Sequence, residues 1–136
     1  KNPIRILIDK DFEINSSYRL VHDDIETIIF VDEKVDKTRL DKYSEYNLSF
    51  KRIDFSKGVM NPLFQFLYEK EVLSVIIEGG AITLSHFLNS DFWDEARVFI
   101  GDRMFYEGIE SPKITDKKLY KKFDLKSTKL YIFKNS

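Results

Sequence analysis

Glu78, Gly79 and Gly80 stand together in the run Val75-Ile76-Ile77-Glu78-Gly79-Gly80-Ala81-Ile82-Thr83-Leu84, between an apolar segment and the start of an amphipathic one. This order suits the binding of a phosphate-bearing ligand. Glycines at a strand-to-helix turn let the backbone approach an anion without a Cβ in the way, and the free N–H groups and positive end of the following helix attract it. A carboxylate facing the same pocket would repel a phosphate. A functional Glu78 therefore points to the other side of the strand end, toward an uncharged, donor-rich group such as an amine or a pyrimidine N–H. Two plainer readings stand beside this one: paired glycines also make ordinary turns, and Glu78 could simply pair with a lysine.

Elsewhere the chemistry-bearing residues are sparse. His86 lies three residues beyond Thr83 on the polar side of the same helix, where a lone histidine is more often solvated than catalytic. Tyr43, Tyr46, Phe64, Phe66 and Trp93 read as core and cover residues, and the lysines around Val35 and at Lys117, Lys118, Lys121 and Lys122 as a solvated face. No nucleophile–base pair, metal-ligand spacing or Walker-type loop occurs, so neither a catalytic side chain nor a metal ligand is assigned.

The elements that must position the Glu-Gly-Gly turn follow from hydrophobic periodicity. Ile4-Arg5-Ile6-Leu7-Ile8 alternates as a strand, and Ile28-Ile29-Phe30-Val31 is continuously apolar, as in a strand covered on both faces. The charged segment from there to Phe50 has no strong period. Leu48-Ser49-Phe50-Lys51-Arg52-Ile53 gives a further strand. A helix then opens at Met60-Asn61-Pro62, with Asn61 as N-cap, Pro62 in its first turn, and Leu63, Phe64, Phe66 and Leu67 at helical spacing through Glu71. Val72 to Ile77 reads as a buried strand, and Ala81 to about Ser90 as a helix with Ala81, Leu84, Phe87 and Leu88 along one stripe. Ala96, Val98 and Ile100 alternate in a strand after Trp93-Asp94-Glu95. Phe123 to Ser127 and Lys129 to Phe133 lie too close for a crossover and should form an antiparallel hairpin. The pattern is that of a mixed α/β sheet with helices on its faces.

Composition narrows the function classes. With 136 residues, 43% of them hydrophobic and 15% aromatic, the chain is expected to be one globular domain with a real core. Its 22 basic and 23 acidic residues interleave to a net charge of −1, which argues against nucleic acid or an anionic membrane as partner. There is no cysteine and hence no disulfide framework or thiolate metal site. No apolar run approaches the roughly 20 residues that span a bilayer, and no signal pattern opens the chain, so a cytoplasmic location is expected.

The blocks Pro3-Ile4-Arg5-Ile6-Leu7-Ile8-Asp9, Val75-Ile76-Ile77-Glu78-Gly79-Gly80-Ala81, Phe87-Leu88 and Asp94-Glu95-Ala96, in this order and spacing, resemble the reductase domain of the bifunctional riboflavin-biosynthesis deaminase/reductase. The resemblance runs from Pro3 to the C-terminus. It implies a three-layer dihydrofolate-reductase-like fold, a mixed sheet flanked by helices that ends in the antiparallel hairpin. It also implies NADPH-dependent reduction of 5-amino-6-(5-phosphoribosylamino)uracil to its ribityl form, by hydride transfer to the anomeric carbon. Carried over residue by residue, Glu78 contacts the substrate. Gly79, Gly80, Ala81, Ile82, Thr83, Leu84, Ser85 and His86 receive the cofactor's phosphates and nearby ribose, and Lys10 lines the cofactor. A 2′-phosphate requires a cation, for which Lys34, Lys37 and Arg39 are candidates.

Two departures from the family accompany the resemblance. Gly101-Asp102-Arg103-Met104-Phe105-Tyr106-Glu107-Gly108 replaces the usual Ala-Pro-Lys-like continuation into a glycine-rich turn. The family's reductase domain also begins upstream, with a strand and a Ser-Leu-Asp-Gly-like segment. Residues 1–136 are accordingly expected to be one partial reductase domain, inactive alone, whose full-length form carries the zinc deaminase on the same chain. Exposed sheet edges make a homodimer the expected assembly. The rival readings are a dihydrofolate reductase-like enzyme, disfavoured by the Glu-Gly-Gly order, and a non-catalytic dimeric nucleotide-binding domain.

Overall fold

Thr27–Asp32 forms a strand, β2, whose six residues are all buried. That burial is what its unbroken apolar run demands, and it is met by a central place in a three-stranded parallel sheet. β1 (Arg5–Ile8) pairs with it on one side, Arg5 opposite Thr27, and β3 (Leu48–Ile53) on the other, Leu48 opposite Thr27. This computed structural model describes residues 3–135. They divide into two compact units, one up to Leu73 and one from Ser74 onward.

In the first unit, alternate side chains of β2 serve two cores. Ile29 and Val31 join Phe12, Ile14, Val21, Val35 and Leu40 on one face, where Phe12 meets Tyr43 and Phe50 edge-on at 5.2 and 5.3 Å. Phe30 points the other way and meets Phe66 edge-on at 5.6 Å. Two short helices, α1 (Arg19–His22) and α2 (Lys37–Asp41), contribute Val21 and Leu40 to the first core. Neither is expected from periodicity, since each is barely one turn long and contributes a single buried residue. Asp36 caps α2 by accepting the Thr38 N–H.

The helix expected after β3 spans Met60–Glu69 (α3) and buries Leu63, Phe66 and Leu67. Its N-cap is Val59, not Asn61, and the first turn closes when the Leu63 N–H donates to the Val59 carbonyl at 3.0 Å. Pro62 remains in that first turn, where its missing N–H has no partner to lose. The expected strand from Val72 to Ile77 does not form. A strand needs a ladder, and none of the described strands pairs with this segment. Its side chains are correspondingly open: Leu73 is 99% and Ile76 84% exposed, so the expectation of burial fails there too.

The second unit contains α4 (Ala81–Ser90) and an antiparallel sheet in the order β4-β6-β5, from Glu95–Gly101 (β4), Leu119–Leu125 (β5) and Thr128–Lys134 (β6). The expected hairpin is present: Leu125 pairs with Thr128 across Lys126 and Ser127, and Tyr120 bulges out of the register. The α4 stripe is also as expected, with Phe87 buried and Ala81, Leu84 and Leu88 half-buried. Parallel and antiparallel sheets with flanking helices make this a mixed α/β protein.

Candidate functional site

The Glu-Gly-Gly turn ends at the N-terminus of α4. Gly80 is the N-cap, in extended conformation (φ −61°, ψ 173°), and makes no side-chain capping bond. The first α-helical bond runs from the Leu84 N–H to the Gly80 carbonyl at 3.1 Å, so the N–H groups of Ala81, Ile82 and Thr83 precede the ladder. They point out of an exposed turn at the positive end of the helix dipole.

The two glycines are there for different reasons. A Cβ on Gly79 would lie 2.8 Å from the Thr83 Cβ and 3.0 Å from its Cγ2, so the first turn of α4 folds back against the Gly79 backbone. A Cβ on Gly80 would meet nothing within 4 Å. Gly80 leaves open space directly before the free N–H groups. Glu78 and His86 are exposed, while Thr83, Leu84 and Ser85 are half-buried. The structure thus keeps Glu78, Gly79, Gly80 and the first turns of α4 together on one unit.

Lys10 belongs to the other unit, beside a cleft of about 340 Å³ at the carboxyl ends of β1, β2 and β3. Parallel sheets bind ligands at this end of their strands. The cleft is lined by Lys10, Asp11, Asp32, Lys34, Val35, Phe55 and Ser56. Its rim is stitched by backbone bonds: Asp9 N–H donates to Phe30 O at 3.0 Å, Asp32 N–H to Lys10 O at 2.9 Å, and Glu33 N–H to Ile53 O at 2.8 Å. The Asp9 carboxylate accepts the N–H groups of Glu13 and Ile14, and Arg52 donates to the carbonyls of Glu33 and Val35. Sequence reasoning reached Lys10 and Lys34 but missed Asp32, whose only signal is a charged residue closing an apolar run.

The three cations offered for a 2′-phosphate separate in the structure. Lys34 lines the cleft. Arg39 is committed elsewhere, donating to the carbonyls of Asp11 and Phe12 with its guanidinium over the Phe12 ring. Lys37 sits exposed in the first turn of α2. Asp54, beside the cleft, has its carboxyl held below the usual range, first by the Ser56 hydroxyl and then by the Ser56 N–H. Among the described residues no cluster of His, Cys, Asp or Glu could hold a metal ion, and no helix is long and apolar enough to cross a membrane.

Known proteins resemble this chain in sequence and in fold. A 2,5-diamino-6-ribosylamino-4(3H)-pyrimidinone 5′-phosphate reductase from Archaeoglobus fulgidus is 27% identical over 121 residues, covering 85% of this chain and 52% of the relative. The riboflavin biosynthesis protein RibD of Aquifex aeolicus is 27% identical over 110 residues, covering 80% of this chain and 30% of that one. The chain thus spans about half the length, or less, of these relatives. A pyrimidine reductase-like protein from Corynebacterium diphtheriae superposes with a TM-score of 0.79 at 18% identity, over 97% of this chain and 60% of that one. A deaminase/5-amino-6-(5-phosphoribosylamino)uracil reductase from Thermotoga maritima gives 0.74 at 19% identity, over 98% and 38%. These likenesses establish the dihydrofolate-reductase-like fold. The sequence profile of the RibD C-terminal domain matches residues 1–133, and the chain belongs to that family.

Proposed function

We propose that the chain carries the reductase chemistry of riboflavin biosynthesis, reducing 5-amino-6-(5-phosphoribosylamino)uracil to its ribityl form with NADPH. The observation that carries this reading is the open N-terminus of α4, where Gly80 leaves room for a phosphate in front of unbonded N–H groups. Family membership supports the reaction class. When bound, the nicotinamide supplies the hydride for the anomeric carbon.

The chain's own residues bind and orient. Ala81, Ile82 and Thr83 donate backbone N–H groups to the cofactor's phosphates, with Gly79 and Gly80 admitting them and Leu84, Ser85 and His86 lining the neighbouring ribose. Glu78 accepts N–H donors of the pyrimidine, and its carboxylate fixes which face of the substrate meets the cofactor. Lys10 is the first unit's cofactor-lining residue by family resemblance, and Lys34 is a second exposed cation of its cleft. Residues 1–136 belong to one reductase domain, and its location is cytoplasmic, as for other enzymes of small-molecule biosynthesis. They pair as a homodimer, for which the exposed apolar face of the second sheet, with Phe99, Phe123 and Leu125, is the support. In longer relatives a deaminase shares the chain.

Titration of NADPH into the folded chain, with NADH in parallel and Trp93 fluorescence as the readout, tests the reading. Saturable binding that a Gly80→Ala substitution abolishes supports it. No binding by a chain that circular dichroism shows to be folded refutes it.

A further inference from the structure

Phe87 is the one buried residue of α4, and the first turn of the helix carries no side-chain cap. Packing therefore holds α4 lightly, and the helix is tied down at its other end. Asp91, left-handed at φ 56°, terminates it. The Asn135 side-chain amide donates to the Asp91 carbonyl at 2.8 Å, and the Asn135 N–H donates to the Asp94 carbonyl at 3.1 Å. The second bond carries the ladder of β4 and β6 one step past the Glu95–Lys134 pair, so Asn135 is placed by the central strand of its sheet. Lys117 adds an ion pair with the Asp91 carboxylate at 3.1 Å, but that carboxylate lies largely in solvent, where such pairs are weak. Asn135 Oδ1 and Trp93 Nε1 are sealed from solvent with no hydrogen-bond partner among the described residues. A sealed, unpaired amide oxygen costs stability. Stability alone would favour an apolar side chain at this position, which leaves the bond to Asp91 as the reason for an amide.

We infer that Asn135 is a positioning residue for the phosphate-binding end of α4: by fixing the Asp91 carbonyl it sets the direction of the helix, and with it the place of the Ala81, Ile82 and Thr83 N–H groups. The inference rests on the reading of α4 as the seat of the cofactor's phosphates and deepens it. The ten residues of α4 make a rod about 15 Å long, so a tilt of about 10° at Asp91 moves the Gly80 turn by roughly 2.5 Å. N–H···O bonds hold only within about 2.7–3.2 Å, so a shift of that size takes the N–H groups out of reach of a phosphate bound elsewhere in the molecule. Enclosure of the amide keeps water from competing for the Asp91 carbonyl, which is what gives a single hydrogen bond the strength to hold the rod in one direction.

Calorimetric titration of the chain with NADPH, beside thermal unfolding followed by circular dichroism, compares the wild type with Asn135→Leu. Heat is the readout for binding because Trp93 belongs to the cluster that the substitution alters. Leucine keeps nearly the shape of asparagine and removes both the donor and the unpaired oxygen. Asn135→Leu unfolds at the wild-type temperature or above it, and binds NADPH at least tenfold more weakly. A merely structural role would show the reverse, a lower unfolding temperature with the affinity of the folded chain unmoved. A variant that binds within tenfold of the wild type, or one whose weaker binding comes with a lower unfolding temperature or with loss of the fold, overturns the inference. If the wild type binds NADPH in that experiment, the reductase reading stands and only the role of Asn135 falls. If the folded wild type binds none, both fall.

Discussion

Replacing Gly79 and Gly80 separately by alanine should give opposite outcomes in stability and in binding. At Gly79 the new methyl carbon would lie 2.8 Å from the Thr83 Cβ, 3.0 Å from Cγ2 and 3.2 Å from Oγ1. Ordinary carbon contacts sit at about 3.5–4.0 Å, so the overlap is well over half an ångström. The closest atom is a Cβ, which is fixed to the helix backbone and cannot rotate away. Trimming Thr83 to serine or alanine therefore gives no relief, and only Thr83→Gly does. Overpacking of this kind costs about 1–3 kcal/mol, or a fall of roughly 3–10 °C in Tm for a chain of this size. At Gly80 the methyl meets nothing and the backbone is already extended. Lower chain entropy in the unfolded state stabilises, loss of a good N-cap residue destabilises, and the net change is within about 0.5 kcal/mol. Urea denaturation followed by Trp93 fluorescence and circular dichroism reads both variants. Gly79→Ala should lower the midpoint and Gly80→Ala should leave it, while Gly80→Ala alone loses NADPH quenching without loss of fold. An unchanged midpoint for Gly79→Ala, or unimpaired NADPH binding by Gly80→Ala, would refute the division of labour between the two glycines.

In the full-length enzyme, Glu78→Gln should lower turnover of the pyrimidine by roughly 10- to 100-fold, the worth of one charge-assisted hydrogen bond, with NADPH affinity nearly unchanged; steady-state kinetics beside the Trp93 titration separates the two, and normal turnover removes Glu78 from the site. Phe30→Ala, at a side chain with no exposed surface and an edge contact to Phe66, should cost about 3–5 kcal/mol in urea denaturation. Acid should destabilise the fold through carboxylates whose partners hold their pKa values down: Asp23, first by the Arg5 guanidinium, and Glu95, first by Lys134 and then by Arg97. A depressed folded value means that the stabilisation is present above the ordinary carboxylate range. It is lost as pH falls from that range through the lowered values, so Asp23→Asn and Glu95→Gln should each flatten the acid limb of a Tm–pH curve and leave its neutral part parallel to wild type.

Why some of this was legible in the sequence and some was not comes down to where each element's stabilisation is stored. β2 announces itself because all six residues are buried on both faces, and its apolar run has no polar phase to confuse it. The stripe of α4 and the hairpin of β5 and β6 are local in the same sense: periodicity and a two-residue turn suffice. Val72 to Ile77 is as apolar as β2, and a pattern of apolarity predicts the same element for both. The difference lies outside the segment, because a strand is a property of a pair. β2 has Arg5–Ile8 and Leu48–Ile53 at its sides, whereas no described strand bonds to Val72–Ile77. The candidate site divides along the same line. The Glu-Gly-Gly turn is contiguous and could be read directly, although only the structure separates a glycine that Thr83 requires from one that leaves room for a ligand. The cleft gathers Lys10, Asp32 and Phe55 from the ends of three strands, and no spacing in the chain records that they meet. Asp32 is the sharpest case. As one acid among 23 acidic residues it carries no signal, and it becomes informative only when the parallel sheet leaves it buried in the lining of a cleft.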